Sequence, residues 1–281
     1  MTTAAGPYAA DGPYADGPYA ADLALALRLA GRADTLTLSR FRARDLRVRG
    51  KPDRSPVTDA DLAVEDVLRR ALAAARPADA FAGEEGGGEA GPGRTWLVDP
   101  VDGTKNFLRG VPVWATLIAL LEDGVPVLGV VGAPALRRRW WAVRGGGAWL
   151  SEDGAPPRRL EVSRVTELAE AYLSTTRVDT WRVFGRARSY AALAAACWED
   201  RGFGDFLQHC LVAEGVLDLA AEPAVAPWDI AAVQILVEEA GGRCTDLDGG
   251  DPQHGTGAVS ANPALHARAL STLAAAHPPH H

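Results

Sequence analysis

Two rhythms of apolar and polar residues run along this chain, and the change from one to the other predicts its elements. Residues 21–33, ADLALALRLAGRA, have the apolar density of a helix, with Gly31 placed to end it. In residues 55–75, SPVTDADLAVEDVLRRALAAA, the apolar side chains of Val64, Val67, Leu68 and Ala71 recur at helical spacing after Thr58. Asp61, three residues beyond Thr58, fits the acid of a capping box on the first turn. From Trp114 to Leu150 the pattern turns into the runs WATLIALL, VPVLGVVGA and WWAVRGGGAWL, separated by Asp123-Gly124 and a glycine cluster. These predict an antiparallel meander. After a polar, proline-containing passage at 151–159, helical stretches at 189–199, 207–214 and 230–240 alternate with short strands such as VLDLAAE, 216–222. The pattern predicts a layered, mixed α/β protein with an N-terminal lobe at 21–155 and a C-terminal lobe at 156–275.

The two ends read differently. Residues 6–20 hold three near-copies of a Gly-Pro-Tyr unit that cannot bury a continuous face, so residues 1–20 are expected to be a disordered tail. Residues 276–281 read as a frayed terminus. Of the 281 residues 47% are apolar and 23% charged, the balance of an ordinary globular protein, and no run of about twenty apolar residues offers a membrane span. No basic region followed by an apolar block reads as a secretory signal, which leaves the cytoplasm as the expected address. Cys197, Cys210 and Cys244 are odd in number and widely spaced, and are expected to be reduced packing residues. A net charge of -7 argues against nucleic acid as a partner, and the run Arg137, Arg138, Arg139 is expected to be a solvated turn.

Candidate chemistry is concentrated in residues 96–110, WLVDPVDGTKNFLRG. The run Trp96-Leu97-Val98 is expected to be a strand delivering Asp99 to its carboxyl end, where Pro100 forbids a helix, with Asp102 on the turn that follows. Two carboxylates this close repel each other unless a positive charge lies between them. A hard cation such as Mg²⁺ takes oxygen ligands, and Asp99, Asp102 and the Val101 carbonyl form such a set. Gly103 and Thr104 add backbone N–H groups suited to phosphate oxygens where a helix begins. The plainer reading of the two aspartates is a surface turn in which each caps local backbone. Three further acidic positions weigh against it: Glu84 and Glu85 in FAGEEGGGEA, and Asp229 at the start of an amphipathic helix, where its simplest role is an N-cap.

Taken in order, SPVTDAD, GEE, DPVDGTKNF and PWDIAAVQILVEEAGG resemble the signatures of the inositol monophosphatase family of metal-dependent phosphatases, over about residues 22–273. The resemblance implies a sugar-phosphatase-like fold of alternating αβαβα layers in two lobes, and a homodimer. It implies that Glu84, Asp99, the Val101 carbonyl, Asp102 and Asp229 ligate two or three Mg²⁺ ions, with Glu85 in support. Asp61 and Thr104 would align a metal-activated water for in-line attack on phosphorus, without a covalent intermediate. Asp102, Gly103, Thr104 and Lys105 would meet the phosphate. No cysteine lies in a phosphate-cradling loop with a following arginine, and the histidines are confined to the C-terminal third, so no residue nucleophile competes.

The resemblance implies a small phosphate ester as substrate. The segment RGFGDFLQHCLVAEGVLDLAAEPAVAPWD resembles the branch that hydrolyses histidinol phosphate, in which a Gly-Asp pair, here Gly204 and Asp205, opens a helix. Histidinol phosphate carries an ammonium and an imidazole where inositol carries hydroxyls, and Asp205 with Glu222 would offer it an anionic wall. Their plainer roles are a helix N-cap and a solvated strand end. The alternatives are an inositol-1-phosphate or broad sugar-phosphate phosphatase and, in a different class, a non-enzymatic metal-binding regulator.

Overall fold

The structure is a computed structural model that describes residues 17–51, 55–88 and 91–276. Its chain forms two compact units, Met1–Arg159 and Leu160–His281. The first opens with helix α1, Ala20–Arg40, then strands β1, Val48–Gly50, and β2, Pro56–Thr58, and helix α2, Asp59–Ala75. Strands β3, Ala80–Gly83, and β4, Arg94–Asp102, lead to helix α3, Thr104–Arg109. The predicted meander follows as β5, Ala115–Glu122, β6, Val125–Ala133, β7, Arg138–Val143, and β8, Gly147–Glu152, closed by β9, Arg158–Arg159.

Strands β3 to β9 form one sheet in chain order, with β3 and β4 parallel and every later pair antiparallel. One face of this sheet carries Trp96, Val98, Ile118, Leu120, Leu128, Val130 and Trp141, packed against Leu23, Ala26, Leu29 and Ala33 of α1 and Val64, Leu68 and Leu72 of α2. That continuous buried stripe explains why α1 runs through Gly31 instead of ending there. Ala33 and Thr37 beyond the glycine are also buried, and an interior glycine costs only about 1 kcal/mol against alanine. The first unit extends to Arg159 because Arg158 and Arg159 return to pair with Leu150 and Trp149.

Other expectations are corrected. Arg139 is no solvated turn residue: it lies buried on β7, its guanidinium paired with Asp34, while Arg138 pairs with Glu152 and the exposed Arg137 with Asp153. Residues 1–16 and 277–281 lie outside the described residues, but the last Gly-Pro-Tyr unit joins the folded body. The Tyr19 hydroxyl donates to Glu122 at 2.7 Å, and α1 begins one residue later.

The second unit contains β10, Tyr172–Ser174, α4, Val178–Val183, α5, Ala187–Ala196, β11, Glu199–Arg201, α6, Asp205–Ala213, and β12, Leu219–Glu222. It ends with α7, Pro227–Glu239, β13, Arg243–Thr245, β14, Ala258–Ala261, and α8, Pro263–Ala275. The sheet order is β11-β10-β12-β14-β13, parallel on the β10 side and antiparallel on the β14 side. Leu173, Leu219, Ala221 and Val259 face a core shared with Trp181, Tyr190, Leu193, Leu265 and Ala269, which belong to α4, α5 and α8. The alternate residues, Ser174 and Glu222 among them, therefore point to the opposite face, where α6 is packed. Both units are layered α/β. Cys197, Cys210 and Cys244 form no disulfide, and no helix among the described residues is long and apolar enough to cross a membrane.

Candidate active site

Three segments of the first unit carry acidic residues singled out in the sequence. At the start of α2, the Thr58 hydroxyl accepts from the Ala60 and Asp61 N–H groups, while Asp61 Oδ2 accepts from Thr58 N at 2.8 Å and from the Thr58 hydroxyl. This is the capping box expected from the sequence, but it occupies one oxygen only. Asp61 is fully buried, and its Oδ1 has no hydrogen-bond partner among the described residues. Burial raises the Asp61 pKa, the Thr58 hydrogen bonds oppose that rise, and the nearby Glu84 charge adds to it.

Glu84 and Glu85 follow directly on β3, which the Glu84 N–H ties to Val98 of β4 at 3.2 Å. Their turn rests on a residue that the sequence reading missed. Glu65, buried on α2, accepts from Glu85 N at 2.8 Å and Gly86 N at 2.7 Å and pairs with Arg69 at 2.9 Å. Its only signal was a second acid one helical turn after Asp61, on the same face. A Cβ at Gly83 would lie 2.6 Å from Glu65 Oε2, so that glycine is what lets the carboxylate approach the turn.

Lys51, also missed, brings its ammonium to 2.6 Å from Glu84 Oε1 and 2.7 Å from Glu85 Oε1. Burial works against the lysine's charge, yet the two glutamates outweigh it and raise its pKa. Glu85 is pushed up to about 7, chiefly by burial, with the Glu84 and Asp61 charges adding to the effect against the pull of Lys51.

On β4, Asp99 is buried on the face opposite Trp96 and Val98. Pairing with β5 shifts between Asp99 and Asp102, a bulge that contains Pro100, which has no N–H to give to the ladder. The Thr116 hydroxyl donates to the Pro100 carbonyl at 2.8 Å, and Val101 N donates to Asp99 Oδ1 at 2.9 Å. Gly103 takes a left-handed conformation, φ 82°, and α3 then starts at Thr104, whose hydroxyl donates to the Val101 carbonyl at 3.1 Å. Ala60, Val101, Phe107 and Trp114 pack as one buried cluster, which fixes the first turn of α2 beside the end of β4. Lys105 is exposed on α3.

The structure thus gathers Asp61, Glu84, Glu85, Asp99, Val101 and Thr104 on adjoining segment ends. No hydrogen bond joins Asp61 to Thr104 among the described residues, and no three Asp, Glu, His or Cys side chains among them converge tightly enough to hold an ion as placed. The donor set nevertheless fits a hard cation. It consists of oxygens, it holds an orphaned buried carboxylate oxygen on Asp61, and it draws a positive charge, here Lys51, between two adjacent acids.

The remaining candidates belong to the second unit. Asp229 is the third residue of α7, not its N-cap, and its Oδ2 accepts from Ala226 N at 2.9 Å. Asp205 is likewise the first residue of α6 rather than its cap. Gly204 caps that helix, and Asp205 has φ 47° with its N–H donated to the Thr176 hydroxyl at 2.8 Å. Glu222 is not a solvated strand end: it is buried on β12 and accepts from Thr176 N at 3.0 Å, the Thr176 hydroxyl and the Gln208 amide. Burial pushes its pKa up to about 7, against those hydrogen bonds and with a smaller contribution from the Asp205 charge.

The sequence model of the inositol monophosphatase family matches residues 20–277. The chain belongs to that family. Its members are metal-dependent phosphoric monoester hydrolases, and this chain is an enzyme of that class. It is 57% identical over 253 residues to a histidinol-phosphatase of Mycobacterium tuberculosis, covering 90% of this chain and 97% of that protein. A histidinol-phosphatase of Streptomyces coelicolor is 48% identical over 257 residues, with 90% and 96% covered. Among solved structures, an inositol monophosphatase from Zymomonas mobilis superposes with a TM-score of 0.80 at 32% identity, covering 92% of this chain and 99% of that one.

Proposed function

We propose that this chain is a Mg²⁺-dependent phosphatase that hydrolyses histidinol phosphate to histidinol and inorganic phosphate. The observation that carries the reading is 57% identity to a histidinol-phosphatase across nearly the whole of both chains. Glu84, Asp99, the Val101 carbonyl, Asp102 and Asp229 would hold two or three ions, with Glu85 in support. A bound divalent cation supplies charge neutralisation at the phosphate and lowers the pKa of water toward neutrality.

The chain's own residues supply position. Asp61 offers a buried oxygen with no other partner, suited to hold the attacking water and accept its proton, and the Thr104 hydroxyl lies on the adjoining turn. The backbone at Gly103 and Thr104, with Asp102 and Lys105, addresses the phosphate. As the water oxygen bonds to phosphorus the ester P–O bond breaks, and the departing alkoxide takes up a proton. Asp205 and Glu222 face the substrate's ammonium, which an inositol phosphate lacks. The likeness to the Zymomonas enzyme favours a second reading, an inositol-1-phosphate or broader sugar-phosphate phosphatase built on the same acids. A homodimer in the cytoplasm completes the proposal.

Asp99→Asn tests the metal assignment. It is expected to abolish turnover while leaving the melting temperature in metal-free buffer unchanged or raised, because one of several mutually repelling carboxylates is gone. Activity within a few-fold of the parent at saturating Mg²⁺ would refute it.

A further inference from the structure

On the α6 face of the second unit's sheet, hydrogen bonds lead from the turn before α6 to Glu222. Phe203 N–H donates to Ser174 Oγ at 3.1 Å, and the Ser174 hydroxyl donates to Gln208 Oε1 at 2.8 Å. Because the serine's single hydrogen lies on the amide oxygen, the NH₂ end of Gln208 is the end that faces Glu222. That nitrogen donates to Glu222 Oε1 and, at 3.3 Å, to Thr176 Oγ1. Thr176 also accepts from Asp205 N, which leaves its own hydrogen for Glu222 Oε1, and its backbone N–H reaches the same oxygen.

Three donors thus fall on Oε1, and among the described residues none falls on Oε2. Gln208 is completely buried, so its amide has no water to turn to if the relay is broken. The relay is also attached to Asp205, the other acid of the anionic wall, through that residue's own N–H.

We propose, resting on the histidinol phosphate reading above, that Gln208 and Thr176 are positioning residues that lock Glu222 so that Oε2 is left for the substrate's ammonium, and that they thereby determine specificity for a cationic alcohol. A relay that only stabilised the fold would affect every phosphate ester alike. One that aims a carboxylate at an ammonium affects only esters that carry one.

The test measures phosphate release by the full chain with Mg²⁺ from histidinol phosphate and from glycerol phosphate, which has no ammonium. Gln208→Met keeps side-chain length and removes the donor; Thr176→Val keeps the shape and removes the hydroxyl; Thr176→Ser restores it. The first two are expected to raise KM for histidinol phosphate roughly tenfold or more. KM for glycerol phosphate should move far less, and Thr176→Ser should return histidinol phosphate to near the parent value. Equal losses on both esters, or no loss on either, would overturn the proposal. If Gln208→Met does not fold, Thr176→Val at its exposed position decides alone. A parent chain inactive on histidinol phosphate would defeat the functional reading itself, a result distinct from failure of the relay.

Discussion

Glu222 keeps a carboxyl group where ionisation costs free energy, since it is buried with Thr176 and Gln208 as its hydrogen-bond donors and no cation paired with it among the described residues. Its pKa, raised by that burial from 4.5 to about 7, means that the folded chain holds the proton at pH values where the unfolded chain has released it. The resulting stability is complete below about pH 4.5 and is lost as pH rises through about 7. His209 and His266, lowered by burial to about 4, act in the opposite sense, their contribution fading as pH falls below 6.5. The difference between two chains therefore isolates the glutamate. Between about pH 5 and pH 8, thermal melts of the parent should lose stability relative to Glu222→Gln, and parallel curves would contradict the assignment. Asp205 is tested by substrate. Asp205→Asn should weaken histidinol phosphate relative to a neutral ester by about 1.5 to 3 kcal/mol, the worth of one charge-assisted hydrogen bond. Equal losses in kcat/KM would reduce Asp205 to a structural role. The sequence pointed to both acids through resemblance, but not to Gln208, Thr176 or Ser174, because polar side chains of unremarkable spacing reveal a relay only when two strands and a helix bring them together.

The turn that presents Glu84 and Glu85 is held by a neighbouring helix as well as by its own Gly83–Gly87 backbone hydrogen bonds. Glu65 of α2 takes two of its N–H groups, and Gly83 leaves the space in which that carboxylate sits. Glu65→Leu should therefore cost about 2 to 5 kcal/mol, by leaving two N–H groups and Arg69 without their acceptor. It should also lower activity more than the fall in folded fraction explains, which denaturant melts alongside turnover would show. Loss of activity strictly in proportion to unfolding would mean that the turn holds its shape without Glu65. Helix α2 was legible from its helical spacing of apolar residues, and the β5 to β8 meander from continuous apolar runs separated by Asp123-Gly124 and a glycine cluster. The end of α1 was not, since Gly31 matters less there than the buried stripe that continues past it to Thr37. Arg139 was misread because three consecutive arginines look solvated until the strand's alternation and the distant Asp34 are known.

At the scale of the whole molecule, the sequence pointed to the acids proposed to carry the chemistry, and the first unit places Asp61, Glu84, Glu85, Asp99 and Asp102 at strand and helix ends, with Lys51 between the two glutamates. The local signals worked best where a motif is contiguous, as from Asp99 to Thr104, where Pro100 and Gly103 mark the bulge and the left-handed turn before α3, although β4 runs on through Asp102, which was expected on a turn beyond the strand. They failed where a site residue lies far away in the chain, as for Lys51 and Glu65, whose roles depend on the β3 turn being brought back against α2. The central claim is a metal-dependent phosphatase that prefers a cationic ester. Its most direct test is phosphate release by the purified chain from histidinol phosphate and from inositol 1-phosphate, each with Mg²⁺ and with a chelator. The account predicts Mg²⁺-dependent turnover with the higher kcat/KM on histidinol phosphate; turnover that survives chelation, or a preference for the inositol ester, would contradict it.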